Sequence, residues 1–182
     1  LNSKKVTIQP VLIQGAKAWH FAQENNNQYK ASFIEQLKYS PTYDEIFISF
    51  GSIDCSKEEG ILHYTNKYNK NIREVTKETI ISFLNFMQSK INSLFKKRYY
   101  FGFSLPMQVN DSLDIKRSEL IKMYNKILKE EVIRRGDYFV DVFSLTSTKN
   151  NRNNNLYMCD NTHLSPEYLN KLIENHLSEP KD

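Results

Sequence analysis

Apolar and polar positions along the chain alternate between strand-like and helix-like periods. Val6 to Gln14 (VTIQPVLIQ) is β-branched and apolar, broken by Pro10 and ended by Gly15, which predicts a strand running into a turn. Gln28 to Tyr39 carries Tyr29, Phe33, Ile34 and Leu37 at helical spacing. Glu45 to Phe50 is a short apolar strand ending at Gly51. Thr76 to Lys97 predicts the longest helix, with Ile80, Ile81, Leu84, Met87, Ile91, Leu94 and Phe95 on one broad face. Arg98 to Leu105 is the next strand, stopped by Pro106. Ile115 to Arg135 predicts a second long helix that turns Leu120, Met123, Ile127 and Val132 inward and closes at Gly136. Tyr138 to Phe143 is a further strand, and Pro166 opens a final helix with Ser165 as N-cap.

Continuously apolar strands separated by helices belong to a parallel sheet covered on both faces. The expected fold class is therefore α/β, a three-layer α/β/α arrangement around a mostly parallel sheet. Right-handed crossovers then place the loops after the strands along one edge, where open α/β sheets bind ligands. Gly15-Ala16-Lys17, Gly51-Ser52-Ile53-Asp54 and Pro106-Met107-Gln108 would emerge there. With no repeat or linker, residues 1–182 read as a single domain. The Asn-rich run Asn150 to Asn155 is expected as an exposed loop, and Asn25-Asn26-Asn27 as a disordered patch.

Composition narrows the class. Forty per cent hydrophobic and 25% charged residues describe an ordinary globular chain. No apolar run nears the roughly 18 residues of a membrane span, and Leu1 to Lys5 lacks an apolar signal core, so a cytoplasmic chain without a membrane partner is expected. A net charge of +4 is small. Lys96-Lys97-Arg98 and Arg134-Arg135 fall at the ends of expected helices, where cations favour the dipole, and no aromatic-plus-basic stripe accompanies them. Nucleic acid is accordingly not an expected partner. Two cysteines, Cys55 and Cys159, make no disulfide scaffold and read as reduced, buried thiols. Without a neighbouring His cluster they imply no metal site, and nothing in the chain implies a cofactor.

The chemistry-bearing residues cluster in two segments. Asp160-Asn161-Thr162-His163 places a carboxylate three residues before an imidazole on a loop ahead of a helix. Such a carboxylate can bond one ring nitrogen and leave the other as a base; the bland alternative is a capping Asp beside a surface His. In Phe50-Gly51-Ser52-Ile53-Asp54-Cys55, Gly51 supplies a turn and Asp54 either caps the next helix or belongs to a site. Trp19 and His20 could line a pocket with Lys17, or Trp19 could be a core aromatic. His63 is expected to pack on a helix, His176 to face solvent, and Tyr99 to Phe103 to form a buried strand.

These two segments resemble the SGNH (GDSL-like) hydrolases, whose fold is flavodoxin-like. Gly51 and Asp54 match the family's Gly-x-Asn-Asp block, and Gly51 through Cys55 is similar to a Gly-x-Ile-Asp-Cys version found in a subset associated with surface polysaccharides. The resemblance implies that Asp160 and His163 are the acid and base of a triad, and that Gly15, Gly51, Ser52, Asp54 and Trp19 border the substrate. It puts Lys17 where the family has its nucleophilic Ser, and Ile53 where it has an oxyanion-binding Asn. An acyl-lysine is an amide, so Lys17 cannot replace serine in turnover. The expected function is deacylation of a carbohydrate or other small acyl ester at a degenerate site. His163 would activate water while Lys17 steadies the oxyanion, with Ser52 or Cys55 as alternative nucleophiles. The competing reading is a non-catalytic domain that binds a carbohydrate, an anion or a protein, with Lys17 as clamp or as ion-pair partner of Asp54 or Asp160. A third takes Lys17 as a replacement for a native serine.

Overall fold

The computed structural model describes residues 8–39, 44–150, 152–169 and 172. Among the described residues three strands, β1 (Glu45–Ile48), β2 (Lys97–Phe101) and β3 (Tyr138–Val140), form a parallel sheet in the order β1-β2-β3. Glu45 pairs with Lys97 and Tyr99 with Tyr138. Helices α1 (Ala18–Ala22) and α2 (Gln28–Leu37) precede β1. Helices α3 (Ile61–Tyr68) and α4 (Ile72–Ile91) connect β1 to β2, and α5 (Ser112–Arg134) connects β2 to β3. A short α6 (Val142–Thr146) follows.

Side chains alternate across the strands, as the period of two requires. Ile48 and Tyr100 face the main core with Phe83, Leu84 and Met87 of α4, Tyr124 and Leu128 of α5, and Phe21 of α1. Phe47, Tyr99 and Phe101 face the opposite way, against Val140, Val142, Leu164 and Leu172. The sheet is thus covered on both faces, and the fold is the expected layered α/β. Just past β2, the buried Asn125 of α5 completes the backbone pairing: its Oδ1 accepts from Phe103 N–H at 2.8 Å and its Nδ2 donates to the Phe103 carbonyl at 2.9 Å.

Several local expectations are corrected. Residues 8–14 form no strand: Pro10 has no N–H for a ladder, and Ile8, Val11 and Leu12 are exposed. Val6 and Thr7 lie outside the described residues, as does His176. The longest helix is α5, with 23 residues against 20 in α4, because α4 starts at its Asn71 cap and ends before Leu94. The basic run 96–98 does not end a helix. It opens β2, where each cation finds an acid: Lys96 with Asp44, Lys97 with Glu45, and Arg98 with the buried Asp137. The run Asn150 to Asn155 is the expected loop, exposed at Asn150, Arg152 and Asn155, but Asn27 and Asn153 have structural roles. Asn27 caps α2 by accepting from the Tyr29 and Lys30 N–H groups, and buried Asn153 donates to the Leu105 carbonyl. Of the cysteines, Cys55 is buried and Cys159 is exposed.

Among the described residues no helix is long and apolar enough to cross a membrane. Replacing Asn125 by Leu should lower unfolding stability by about 2–4 kcal/mol in urea titrations, because it strands both the N–H and the carbonyl of Phe103 in the core.

Candidate functional site

Both chemistry-bearing segments lie past the carboxyl ends of the parallel strands, but they form two separate clusters. In the first, the chain leaves β1 and turns at Gly51 with φ +118°. A Cβ there would come within 2.5 Å of Tyr124 Oη and 2.7 Å of Phe103, so only glycine lets the loop pass this closely over the core. A 3-10 turn, Ile53–Cys55, then points Asp54 inward. Asp54 is fully buried, and its two oxygens accept from the N–H groups of Ala18 (2.8 Å) and Trp19 (3.0 Å). Asp54 therefore caps α1, a helix distant in sequence, instead of the helix that follows it. Burial pushes its pKa up to about 6 despite those hydrogen bonds and the nearby Lys17.

Lys17 is the N-cap residue of α1. Its Nζ pairs with Glu59 Oε2 at 2.6 Å, so the partner is neither Asp54 nor Asp160. Its N–H donates to His20 Nδ1, and the His20 ring stacks on Tyr29 at 3.9 Å. Burial, then the Lys17 charge, lowers the His20 pKa. Trp19 is 45% exposed, which removes the core-aromatic alternative. With Lys17, Asp54, Glu59 and His63 it lines an open groove of about 600 Å³ between α1, α3 and α4. His63, expected to pack on a helix, is exposed there instead. Glu59 and the exposed Tyr64 and Tyr68 escaped sequence reasoning. Only the tyrosines left a signal, as an i, i+4 aromatic pair off the apolar stripe of α3.

The second cluster is the loop carrying Asp160 and His163. His163 Nδ1 lies 2.7 Å from Asp160 Oδ2, while Asp160 Oδ1 accepts from the N–H groups of Thr162 and His163 at 2.8 Å each. Those backbone donors and the imidazole hold the Asp160 carboxyl well below the usual carboxylate range. Among the described residues nothing bonds His163 Nε2, and the His163 side chain is 74% exposed. The loop is tied to the turn after β2 by Met107 N–H to the Asn161 carbonyl and by Gln108 N–H to Asn161 Oδ1. Stacked Tyr157 and Tyr168 and the Met158–Leu164 bridge brace it further.

The groove is lined by Lys17, Trp19 and Asp54 but by neither Asp160 nor His163. Gly15 sits in a separate turn at φ +70°. Ser52 is exposed and its hydroxyl caps nothing. Cys55 is a poor nucleophile, since burial drives its thiol pKa well above the ordinary value. Among the described residues no three His, Cys, Asp or Glu side chains gather as metal ligands.

No protein-family model matches this sequence, and no curated protein matches it. Solved structures do. A catalytic mutant of an acetylxylan esterase from Geobacillus stearothermophilus matches with a TM-score of 0.54 and 14% identity, over 83% of this chain and 66% of that one. A Bacteroides fragilis protein put forward as an acylhydrolase matches with a TM-score of 0.54 and 16% identity, over 81% and 67% respectively. A second mutant form of the Geobacillus esterase gives a TM-score of 0.55 at 14% identity, over 83% and 66%. The likeness is one of fold, an SGNH hydrolase-like α/β fold, and this chain spans about two thirds of the length of those proteins.

Because Asp54 has a folded pKa raised from 3.8 to about 6, its protonated form favours the folded state. That contribution is complete below 3.8 and disappears as pH rises through about 6, by at most about 3 kcal/mol. The stability of wild type relative to Asp54→Asn should fall across this window in urea titrations. A flat difference would place Asp54 in a wetter environment.

Proposed function

We propose that this protein is an SGNH-type ester hydrolase that removes acyl groups from carbohydrate or other small esters, with His163 as base and Asp160 as its orienting acid. The observation that carries this reading is the 2.7 Å Asp160–His163 contact. It fixes the Nδ1 proton toward the carboxylate and leaves Nε2 without a partner among the described residues. The fold supports it, as does the resemblance at Gly51 and Asp54. The acetylxylan esterase likeness suggests the carbohydrate class.

In this reading His163 Nε2 takes a proton from water as the water oxygen attacks the acyl carbonyl carbon. Asp160, held ionised by two backbone N–H groups, stabilises the imidazolium. The tetrahedral intermediate then expels the alkoxide, which takes the proton from Nε2 and leaves as the alcohol. Lys17 carries no acyl group. Its ammonium, paired with Glu59 at the groove, is an electrostatic element of the substrate surface alongside Trp19. Gly15, Gly51 and Ser52 shape the loops around it.

One observation favours the non-catalytic alternative: the His163 side chain is 74% exposed and stands outside the groove. The two readings separate in one assay on short-chain aryl esters and acetylated sugars. Wild type should turn over, and His163→Ala and Asp160→Asn should each lose at least about 100-fold in kcat. Lys17→Ser should change KM more than kcat. A His163→Ala protein with full activity, or an inactive wild type, would overturn the hydrolase reading.

A further inference from the structure

We infer that the groove between α1, α3 and α4 is a binding site for an uncharged oligosaccharide, with Trp19, Tyr64 and Tyr68 as its sugar-stacking platform. Three large aromatic side chains line it and remain 45%, 40% and 52% exposed. Tyr64 and Tyr68 lie side by side on α3, ring centroids 4.9 Å apart. An aromatic face left open to water covers the C–H face of a pyranose, while the phenol and indole edges keep polar contacts. The volume of about 600 Å³ is that of a small-ligand site, within the usual ~300–1,000 Å³.

Charge selects among ligands of that size. The lining carries Lys17, Lys67 and Lys70 against Glu59, Glu74, Glu78 and Asp54; because the buried Asp54 carboxylate is taken up by the Ala18 and Trp19 N–H groups, the remaining side-chain charges balance. Lys17 is already satisfied by Glu59 at 2.6 Å, and Lys67 lies over the Tyr68 ring at 5.3 Å. A phosphate or uronate would find two of the three cations, Lys17 and Lys67, already engaged. A neutral polyol meets paired donors and acceptors together with the exposed rings of Trp19, Tyr64 and Tyr68, the two tyrosine planes inclined at 47°.

The platform is also rigid where it matters. Asp54 holds the Trp19 backbone N–H at 3.0 Å, and Glu74 and Glu78 come from the long α4, with Asn71 as its N-cap. Preorganised aromatic surface lowers the entropic cost of binding. The inference draws its carbohydrate class from the proposed hydrolase reading but needs no turnover, because binding is read directly.

Trp19 is the only tryptophan, so its fluorescence reports on the groove. The test titrates xylohexaose, cellohexaose and hexa-N-acetylchitohexaose, with oligogalacturonate as the charged counterpart, into wild type, Tyr68→Ala, Tyr68→Phe and His163→Ala. A saturable emission change is expected with at least one neutral oligomer. Tyr68→Ala should weaken it by about three- to tenfold, while Tyr68→Phe stays within about twofold. His163→Ala should bind as wild type does, which separates this site from hydrolysis: an inactive enzyme that still binds leaves the groove assignment standing. No saturable change with any neutral oligomer, binding of oligogalacturonate alone, or affinity indifferent to Tyr68→Ala would each overturn it.

Discussion

The buried carboxylate of Asp54 is the contact on which the groove side of the molecule depends. Helix α1 has only five residues and cannot sustain itself by its own hydrogen bonds. Its first N–H groups, from Ala18 and Trp19, are satisfied by a side chain 35 and 36 residues later, and its apolar face packs on α4. The N-terminal partial charge of the helix suits a carboxylate, which offsets part of the cost of burying it. Gly51 makes the arrangement possible, because any Cβ there would strike Tyr124 and lift the turn that aims Asp54 inward. Tyr124 Oη itself has no hydrogen-bond partner among the described residues. The close passage of the loop is thus kept at the expense of one unsatisfied phenol.

The Asp160–His163 loop rests on different supports. It contains no regular element, and its position comes from backbone bonds to the turn after β2, a tyrosine stack and one isolated bridge. Inside the loop, Asp160 does two things with two oxygens: Oδ1 gathers the Thr162 and His163 N–H groups, and Oδ2 orients the imidazole. The same carboxylate that closes the turn therefore orients the imidazole. The groove and this loop rest on independent contacts.

Much of this was legible in the chain. The 3.6-residue period marked α4 and α5: Ile80, Leu84, Met87 and Ile91, and Leu120, Ile127 and Val132, are buried as expected, whereas Ile81 and Met123 are half-buried and Leu94, past the end of α4, is exposed. The apolar runs marked β1, β2 and β3. The spacing of Asp160 and His163 was enough to bring them into contact, since a three-residue separation in a turn leaves little freedom. Where expectation failed, composition had been read without its partner. Val6 to Gln14 has strand composition, yet Pro10 lacks the donor and residues 8–14 form no strand. The basic run 96–98 suits a helix end, but Asp44, Glu45 and Asp137 make it a strand opening.

What the sequence determined by itself is whatever depends on neighbours within a few residues: helix faces, strand runs, the Gly51 turn and the Asp160–His163 pair. Only the tertiary structure decided that Asp54 caps α1, that Lys17 meets Glu59 across 42 residues, and that Trp19 shares a groove with the tyrosines of α3. Those relations join segments far apart in the chain, and no local period encodes them. They follow from how the helices pack on the sheet and from the requirement that each buried charge and helix end find a partner.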